Sequence, residues 1–209
     1  MNASYQILVS RLDEFIRKYY KNLLLRGLLY ASSLGLSFYI TLVVMAYYGD
    51  FSVPLRATLF YLFMGGNLFI LTRYIAIPLL KLYRIGNVID YEYAALIIGK
   101  HFSEVQDKLL NILQLKKQAD TNSVTLLEAS IEQKIKEIRP VPFTVAINLG
   151  ENKKYLRYLI VPVIVIAAIW WVRPSLIGQG TRQILQYNTH FAKVAPSYSQ
   201  EHKHPLLFY

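Results

Sequence analysis

The sequence contains no cysteine. Disulfide frameworks, zinc fingers, iron–sulfur clusters and thiol catalysis are therefore excluded, although this absence does not reveal the redox compartment. Charged residues are also scarce, at 17% of the chain against 54% apolar residues. An ordinary soluble domain has about 25% charged and about 45–50% apolar residues. Because the shift is only partial, we expect part of the chain to lie in lipid and part in water.

Acidic residues are few, with 13 Asp and Glu against 23 Lys and Arg. In a membrane protein, such an excess marks cytoplasmic loops and contacts with anionic headgroups. Nucleic acid is the other partner that a basic chain suggests, but no long basic stripe or nucleic-acid motif occurs. We therefore expect membrane lipid, and no nucleic acid, among the partners.

Recognisable catalytic motifs are missing as well. There is no nucleophile elbow and no phosphate-binding loop, and charges do not recur inside the apolar segments as ion pathways require. His202 and His204 could share a metal with His190, but no carboxylate or cysteine is spaced to complete the site. His101 could act as a base in an enzyme on lipids. We predict no enzyme, no cofactor and no metal site.

Residues 27–48 form an apolar stretch of 22 residues without a charge. About 20 apolar residues cross a hydrocarbon core as a helix, so this run predicts a first transmembrane helix. A signal peptide is the alternative. The run is too long for the apolar core of such a peptide, and no small-residue cleavage site follows it.

A second apolar segment covers residues 57–80 and completes a predicted transmembrane hairpin over 27–80. Arg73 interrupts it near one end, where an arginine can extend to the headgroups; a buried charge on a polar path is the alternative. Gly65 and Gly66 would let a neighbouring helix pack closely, although two merely tolerated glycines would give the same pattern.

A third span is predicted over residues 156–177. Its uncharged centre is short, so a buried core helix is the alternative. Basic residues flank it on both sides, and Trp170 and Trp171 fit the aromatic belt of one membrane face. These flanks favour a span.

Lys and Arg residues are distributed unevenly around these segments. Residues 1–26 carry five and residues 73–157 carry thirteen, whereas the hairpin loop carries only Arg56 and the chain after Val172 carries four. Since cytoplasmic loops are the basic ones, the amino terminus and the middle segment are predicted to be cytoplasmic. The tail then faces the periplasm if the cell is bacterial.

Residues 81–155 resemble a small water-soluble insert between the second and third spans. Helices are predicted over 90–99, over 103–117 and from a start within 121–125 to Pro140, each with apolar side chains at helical spacing. They would hide their apolar faces against one another in a three-helix unit. A position in the membrane surface is the alternative for any one of them.

Seven residues are candidates for packing or for contact with a partner. Gly65, Gly66 and Arg73 lie in the second span, and the others belong to the apolar stripes of the second and third insert helices: Leu109, Leu113, Ile131 and Ile135.

Two segments flank this arrangement. Residues 1–26 are predicted to form an amphipathic cytoplasmic helix that lies against the inner headgroups and merges with the first span. Residues 178–209 form a tail that begins helix-like and whose composition suggests an extended or partner-bound segment. The predicted fold class is an all-α membrane protein with three transmembrane helices and a small cytoplasmic three-helix insert between the second and third.

The order of these segments resembles a known family. RLDEFIRKYYKNLLLRG precedes the first span, EYAALIIGKHFSEVQDKLLNILQL follows the second, RPVPF ends a helix and ENKKYLRYL opens the third span. Over residues 8–192 the chain resembles the amino-terminal region of very large bacterial envelope proteins of Bacteroidota-type genomes, a domain of unknown function. Its most specific part is IIGKHFSEVQDKLLNILQL.

We predict a location in the bacterial inner membrane, and the resemblance supplies no catalytic residues. Family members place a long periplasmic region after the third span, whereas this chain ends at Tyr209, soon after the corresponding junction near His190. A fragment, a shortened paralogue and a split gene are the open alternatives. The first functional hypothesis is a scaffold or anchor subunit of an envelope assembly. The second is an accessory subunit of a transporter, secretion or respiratory-type complex.

Overall fold

A computed structural model describes residues 3–49, 51–119, 125–138 and 140–188. The regular elements within these ranges are all helices. Three helices are long and apolar enough to cross a membrane, over Ser4–Tyr48, Val53–Leu82 and Phe143–Val172. The all-α class and the three candidate spans are thus confirmed. The side of the membrane on which the insert lies stays a prediction.

The first helix, α1, covers Ala3–Tyr48 without interruption. At 1.5 Å per residue its 46 residues extend about 69 Å, more than twice the hydrocarbon thickness of about 30 Å. The sequence permits this length because its first proline is Pro54. Gly27 and Gly35 cost about 1 kcal/mol each in helix propensity but keep their backbone N–H donors. The amphipathic amino terminus and the first span are therefore one rigid element.

The second long helix has three parts: α2 (Val53–Leu71), a π-helical turn (Thr72–Ala76) and α3 (Ile77–Leu82). Pro78 lacks an N–H and cannot donate to the carbonyl of Tyr74 four residues earlier. In the adjoining turn, the N–H of Ile77 donates to the carbonyl of Thr72, five residues back. Such π turns occur mostly as single-turn bulges, often at functional sites. The proline therefore accounts for the irregular turn that contains Arg73.

The end of α3 is fixed by two backbone hydrogen bonds. The N–H of Ile85 donates to the carbonyl of Leu80 at 2.9 Å, and the N–H of Arg84 to that of Lys81 at 3.1 Å. This pattern places Arg84 in the left-handed region, with φ of 61°, where glycine is usual. The Arg84 guanidinium pairs with the Asp13 carboxylate of α1. That ion pair offsets part of the backbone strain and ties the turn to α1.

The insert contains the three predicted helices: α4 (Tyr91–His101), α5 (Ser103–Ala119) and α6 (Thr125–Ile138). The Asp90 side chain accepts a bond from the N–H of Tyr93 at 2.8 Å and caps α4 as predicted. The three helices share one apolar core with the first half of α1. Its α1 members are Leu8, Leu12, Phe15, Ile16 and Tyr20.

These α1 side chains are at most 5% exposed. The expectation that this face lies against the headgroups is therefore wrong, because α4, α6 and the segment after α6 cover it. The insert and the first half of α1 together form a four-helix unit, which we call the helical unit. A core shared by four helices is also larger than the marginal core that three short helices would form alone.

The segment between α6 and α7 follows one side of α1. It contains two 3-10 turns, Phe143–Ala146 and Leu149–Asn152. Arg11 donates to the carbonyl of Val141, Lys18 Nζ donates to the carbonyl of Thr144 at 2.7 Å, and Asn152 donates to Asn22 Oδ1 at 2.6 Å. The three α1 residues are spaced by seven and four, so they share one helix face. The segment therefore places the start of α7 beside α1.

Helix α7 covers Lys153–Val172 and α8 covers Pro174–Leu185. Between them Arg173 is extended, with φ of −145° and ψ of 78°, as a residue before proline prefers. The prediction that the third span continues through residue 177 is therefore wrong, since Leu176 and Ile177 belong to α8. Helix α8 packs against the last third of α1 through Leu176, Gly180 and Ile184, which recur every fourth residue.

Replacing Gly180 with alanine should weaken the docking of α8. A Cβ there would lie 2.6 Å from the backbone oxygen of Val43, which cannot move aside as a side chain can, so we expect a loss of about 1–3 kcal/mol. Gly178→Ala is the matched control, because no atom lies within 4 Å of its Cβ position. Thermal unfolding in mild detergent checks this, and equal midpoints for the two variants would contradict it.

Candidate functional site

Basic residues of α1, of the second long helix and of α7 lie close together where these three helices meet. Arg26 precedes the first uncharged run, and its Cζ lies 4.6 Å from the ring centroid of Tyr155 in α7. Just beyond, Ser33 Oγ donates to the carbonyl of Tyr158 at 2.7 Å. At Gly27, α1 also touches the π turn that carries Arg73. The basic residues at the ends of the three candidate spans are thus adjacent in space, although they are far apart in the sequence.

Tyrosines fill the space between these span ends. The ring of Tyr30 lies 5.0 Å from that of Tyr155, 6.2 Å from Tyr74 and 6.4 Å from Tyr158, measured between centroids. Tyrosine is enriched where membrane meets water, because it has an apolar ring and a polar end. We call these four residues the tyrosine cluster. Its composition is typical of the level at which a membrane surface meets a group of helices.

The closest helix approach at this level is between Gly27 and Tyr74. A Cβ on Gly27 would overlap the backbone oxygen of Tyr74 and lie 3.1 Å from its carbonyl carbon. That oxygen lacks its usual α-helical donor because Pro78 occupies the fourth position after it. Small residues let transmembrane helices pack backbone to backbone. The glycine and the proline together bring α1 and the second long helix into contact.

A groove of about 450 Å³ opens beside this contact. We call it the border groove. Its lining combines two arginines, two members of the tyrosine cluster and three small or apolar residues: Leu23, Arg26, Gly27, Tyr30, Arg73, Tyr74 and Pro78. Arg73, predicted to extend to the headgroups, is exposed and lines this groove. The ion pairs found within the described ranges involve neither arginine.

The two candidate glycines of the second span have different surroundings. A Cβ on Gly66 would lie 2.9 Å from Cε1 of Phe38, so this glycine admits an α1 ring. No atom lies within 4 Å of the Cβ position of Gly65, which faces open space. The pair therefore divides into one position that packs within the chain and one that is open to lipid or a neighbour.

The four candidates of the insert are interior residues. Leu109, Leu113, Ile131 and Ile135 are 0, 7, 2 and 6% exposed and belong to the core of the helical unit. They pack against other helices of the same chain. A partner would therefore meet the polar outer faces of these helices rather than these side chains.

Two polar contacts in the helical unit have no counterpart in the sequence patterns. Asn152 is only 5% exposed and bonds to Asn22, and the Tyr91 hydroxyl donates to Asp13 Oδ1 at 3.0 Å. Each pair joins residues at least 78 positions apart. No local pattern signals such pairs, because asparagine and aspartate look the same in a sequence whether paired or solvated.

The contact between Tyr91 and Asp13 should make stability depend on pH. Burial, and then the bond to Asp13, raise the pKa of Tyr91 above its ordinary value of 10.0. The folded chain holds this proton more tightly than the unfolded chain does. Its contribution is therefore complete below pH 10 and is lost as pH rises through the raised pKa.

A Tyr91→Phe variant isolates this contribution. At pH 8 we expect it to be less stable than the wild type by about 1 kcal/mol, the usual value of one hydrogen bond. Above pH 10 the difference should shrink. Unfolding midpoints measured from pH 8 to pH 11 check this, and a difference that stays constant with pH would contradict it.

The histidines provide no assembled site within the part of the chain described. His101 is exposed and its ring lies 4.8 Å from that of Phe102. No group of three potential metal-ligating side chains is found among the described residues. His190, His202 and His204 lie outside those residues.

No protein-family model matches the chain, and no curated protein or solved structure shows significant similarity to it. The resemblance to large bacterial envelope proteins therefore stays a prediction.

Proposed function

We propose that the chain is a non-enzymatic scaffold or anchor subunit of a bacterial inner-membrane assembly. In this proposal the helical unit docks partners in the cytoplasm and the tail after α8 reaches partners in the periplasm. The observation that carries the proposal is the shared helix α1. Its residues 8–20 supply part of the core of the helical unit. Its residues 31–46 pack against α2, α7 and α8, and we call these four helix segments the membrane bundle. A partner held by one unit is thereby fixed relative to the other.

The use of polar groups supports a structural role. Within the described part of the chain, Asn152 is the buried polar side chain, and it is hydrogen-bonded to Asn22. No buried side-chain nitrogen or oxygen there lacks a partner. The bonds of Asn152 to Asn22 and of Tyr91 to Asp13 join separate elements of the fold.

Topology is the first test, and the natural absence of cysteine makes it direct. We suggest Glu104→Cys, on the exposed side of α5, and Asn188→Cys, after α8; both positions are exposed. In intact spheroplasts a membrane-impermeant maleimide should label the second at once and the first only after permeabilisation. The reverse order would invert the proposed topology and remove the proposed docking role.

Docking is the second test. A photo-crosslinking amino acid at Asn111, on the exposed side of α5, should give a discrete product that is larger than the chain. The same residue at Ile164, which is 60% exposed on α7, controls for chance contacts within the membrane. A chain that crosslinks at neither position and is a monodisperse monomer after mild solubilisation would contradict the scaffold proposal.

An accessory subunit of a transporter, secretion or respiratory-type complex is the second candidate. The observation that favours it is α2, which has no buried residue. Leu68 and Phe69 are 67 and 69% exposed, and Gly65 faces open space. A crosslinker at Leu68 discriminates between the candidates. Capture of a different integral membrane protein supports the accessory subunit, and labelling of lipid alone excludes it.

A further inference from the structure

We propose that the border groove binds the headgroup phosphate of an anionic phospholipid. The groove holds two arginines, lies where the basic ends of three candidate spans coincide, and opens at the level of the tyrosine cluster. Its volume of about 450 Å³ is within the range of about 300–1,000 Å³ of small-molecule sites. The proposal requires that the three candidate spans lie in lipid. It does not depend on the proposed scaffold role.

The charges of the groove favour an anion. Arg26 and Arg73 line it together, and neither takes part in the ion pairs found between described residues. Guanidinium groups present a planar array of donors that matches phosphate oxygens. Two like charges that line one groove repel each other. A phosphate between them would supply the missing negative charge.

Arg26 is positioned for this role by the tyrosine cluster. Its guanidinium carbon lies 4.6 Å from the ring centroid of Tyr155 and 5.7 Å from that of Tyr30. Stacking on aromatic rings restricts a long side chain without neutralising its charge. Less conformational freedom is then lost on binding, which favours affinity.

The surroundings of the groove favour a lipid over a free phosphate. Leu23, Gly27 and Pro78 give the groove apolar walls beside the arginines. Along α2 towards the centre of the second span, Leu68, Phe69 and Leu71 are at least half exposed. Acyl chains extending from a headgroup in the groove would therefore lie along an apolar helix surface. A soluble anion would gain nothing from these side chains.

The test uses the full chain in a detergent that preserves bound lipid, with native mass spectrometry as the measurement. Titration with phosphatidylglycerol should show one tightly bound molecule per chain, and phosphatidylcholine should show none. Arg26→Gln and Arg73→Gln should each weaken that binding about tenfold or more, since each removes a charge-assisted hydrogen bond. Arg26→Lys, which keeps the charge, should lose less lipid affinity than Arg26→Gln.

Arg157→Gln is the matched control. Arg157 lies near the start of α7 and is exposed, but it does not line the groove. An equal loss of phosphatidylglycerol in this variant would mean general attraction by basic residues and would overturn the proposal. Thermal unfolding of each variant confirms that a loss of binding does not reflect a loss of fold.

Competition distinguishes the two sources of phosphate. Glycerol 3-phosphate at a concentration equal to that of the lipid should displace almost none of the bound phosphatidylglycerol. Displacement of half of it would assign the groove to a soluble phosphate and overturn the lipid proposal. Undiminished lipid binding by the double variant Arg26→Gln, Arg73→Gln would overturn it as well.

Discussion

Replacing Gly27 with alanine is expected to separate α1 from the second long helix. The new methyl group would overlap the backbone oxygen of Tyr74, so one of the two helix backbones must move. Overpacking costs about 1–3 kcal/mol, and the overlap with a backbone oxygen places this case at the upper end. For a chain of this size we expect the unfolding midpoint to fall by roughly 5–10 °C.

Gly65→Ala is the matched control, because this glycine lies in the same membrane bundle with no atom within 4 Å of its Cβ position. It should unfold at or slightly above the wild-type temperature, since alanine favours a helix over glycine by about 1 kcal/mol. Circular dichroism in mild detergent measures both variants. If the two variants had the same unfolding midpoint, the close contact at Tyr74 would not exist in the protein.

The second large effect is expected from Phe15→Ala. Phe15 is 0% exposed in the core of the helical unit, and removing such a ring costs about 3–5 kcal/mol. A small helical unit has little stability to lose. We therefore expect α4, α5 and α6 to separate from α1 while the membrane bundle stays folded.

Two measurements can separate these events. Hydrogen exchange of peptides from α4 and α5 should accelerate in Phe15→Ala. The fluorescence of the chain's two tryptophans, Trp170 and Trp171, should not change, because both lie in α7. Glu14→Ala, an exposed neighbour in the same helix, should alter neither. Unchanged exchange in Phe15→Ala would show that α1 does not complete the core of this unit.

Local patterns predicted most of the helices. The helices expected over 90–99 and 103–117 are found at Tyr91–His101 and Ser103–Ala119, since capping residues and a 3.6-residue apolar period are local signals. The period shows which face of a helix is apolar but not what covers that face. For this reason the sequence predicts that the first half of α1 lies on the headgroups, whereas α4, α6 and the segment after α6 cover it.

The candidate site depends on contacts that no local pattern records. A glycine at the start of a span and a proline 51 positions later do not indicate that their helices touch backbone to backbone. The sequence patterns do not predict the break at Arg173, for a related reason. Leu176 and Ile177 are apolar enough to extend a span, and only the fold shows them turned back against α1. The predicted orientation in the membrane still rests on the counts of Lys and Arg residues.

The uninterrupted course of α1 has a mechanical consequence. Leu8 lies 19 residues before Gly27, which at 1.5 Å per residue is roughly 28 Å of stiff helix before the predicted first span. A tilt of the bundle by about 10°, well within the usual range for transmembrane helices, would swing the far end by roughly 5 Å. Changes in bilayer thickness or in a neighbouring subunit would then reach the aqueous end as a displacement of molecular size.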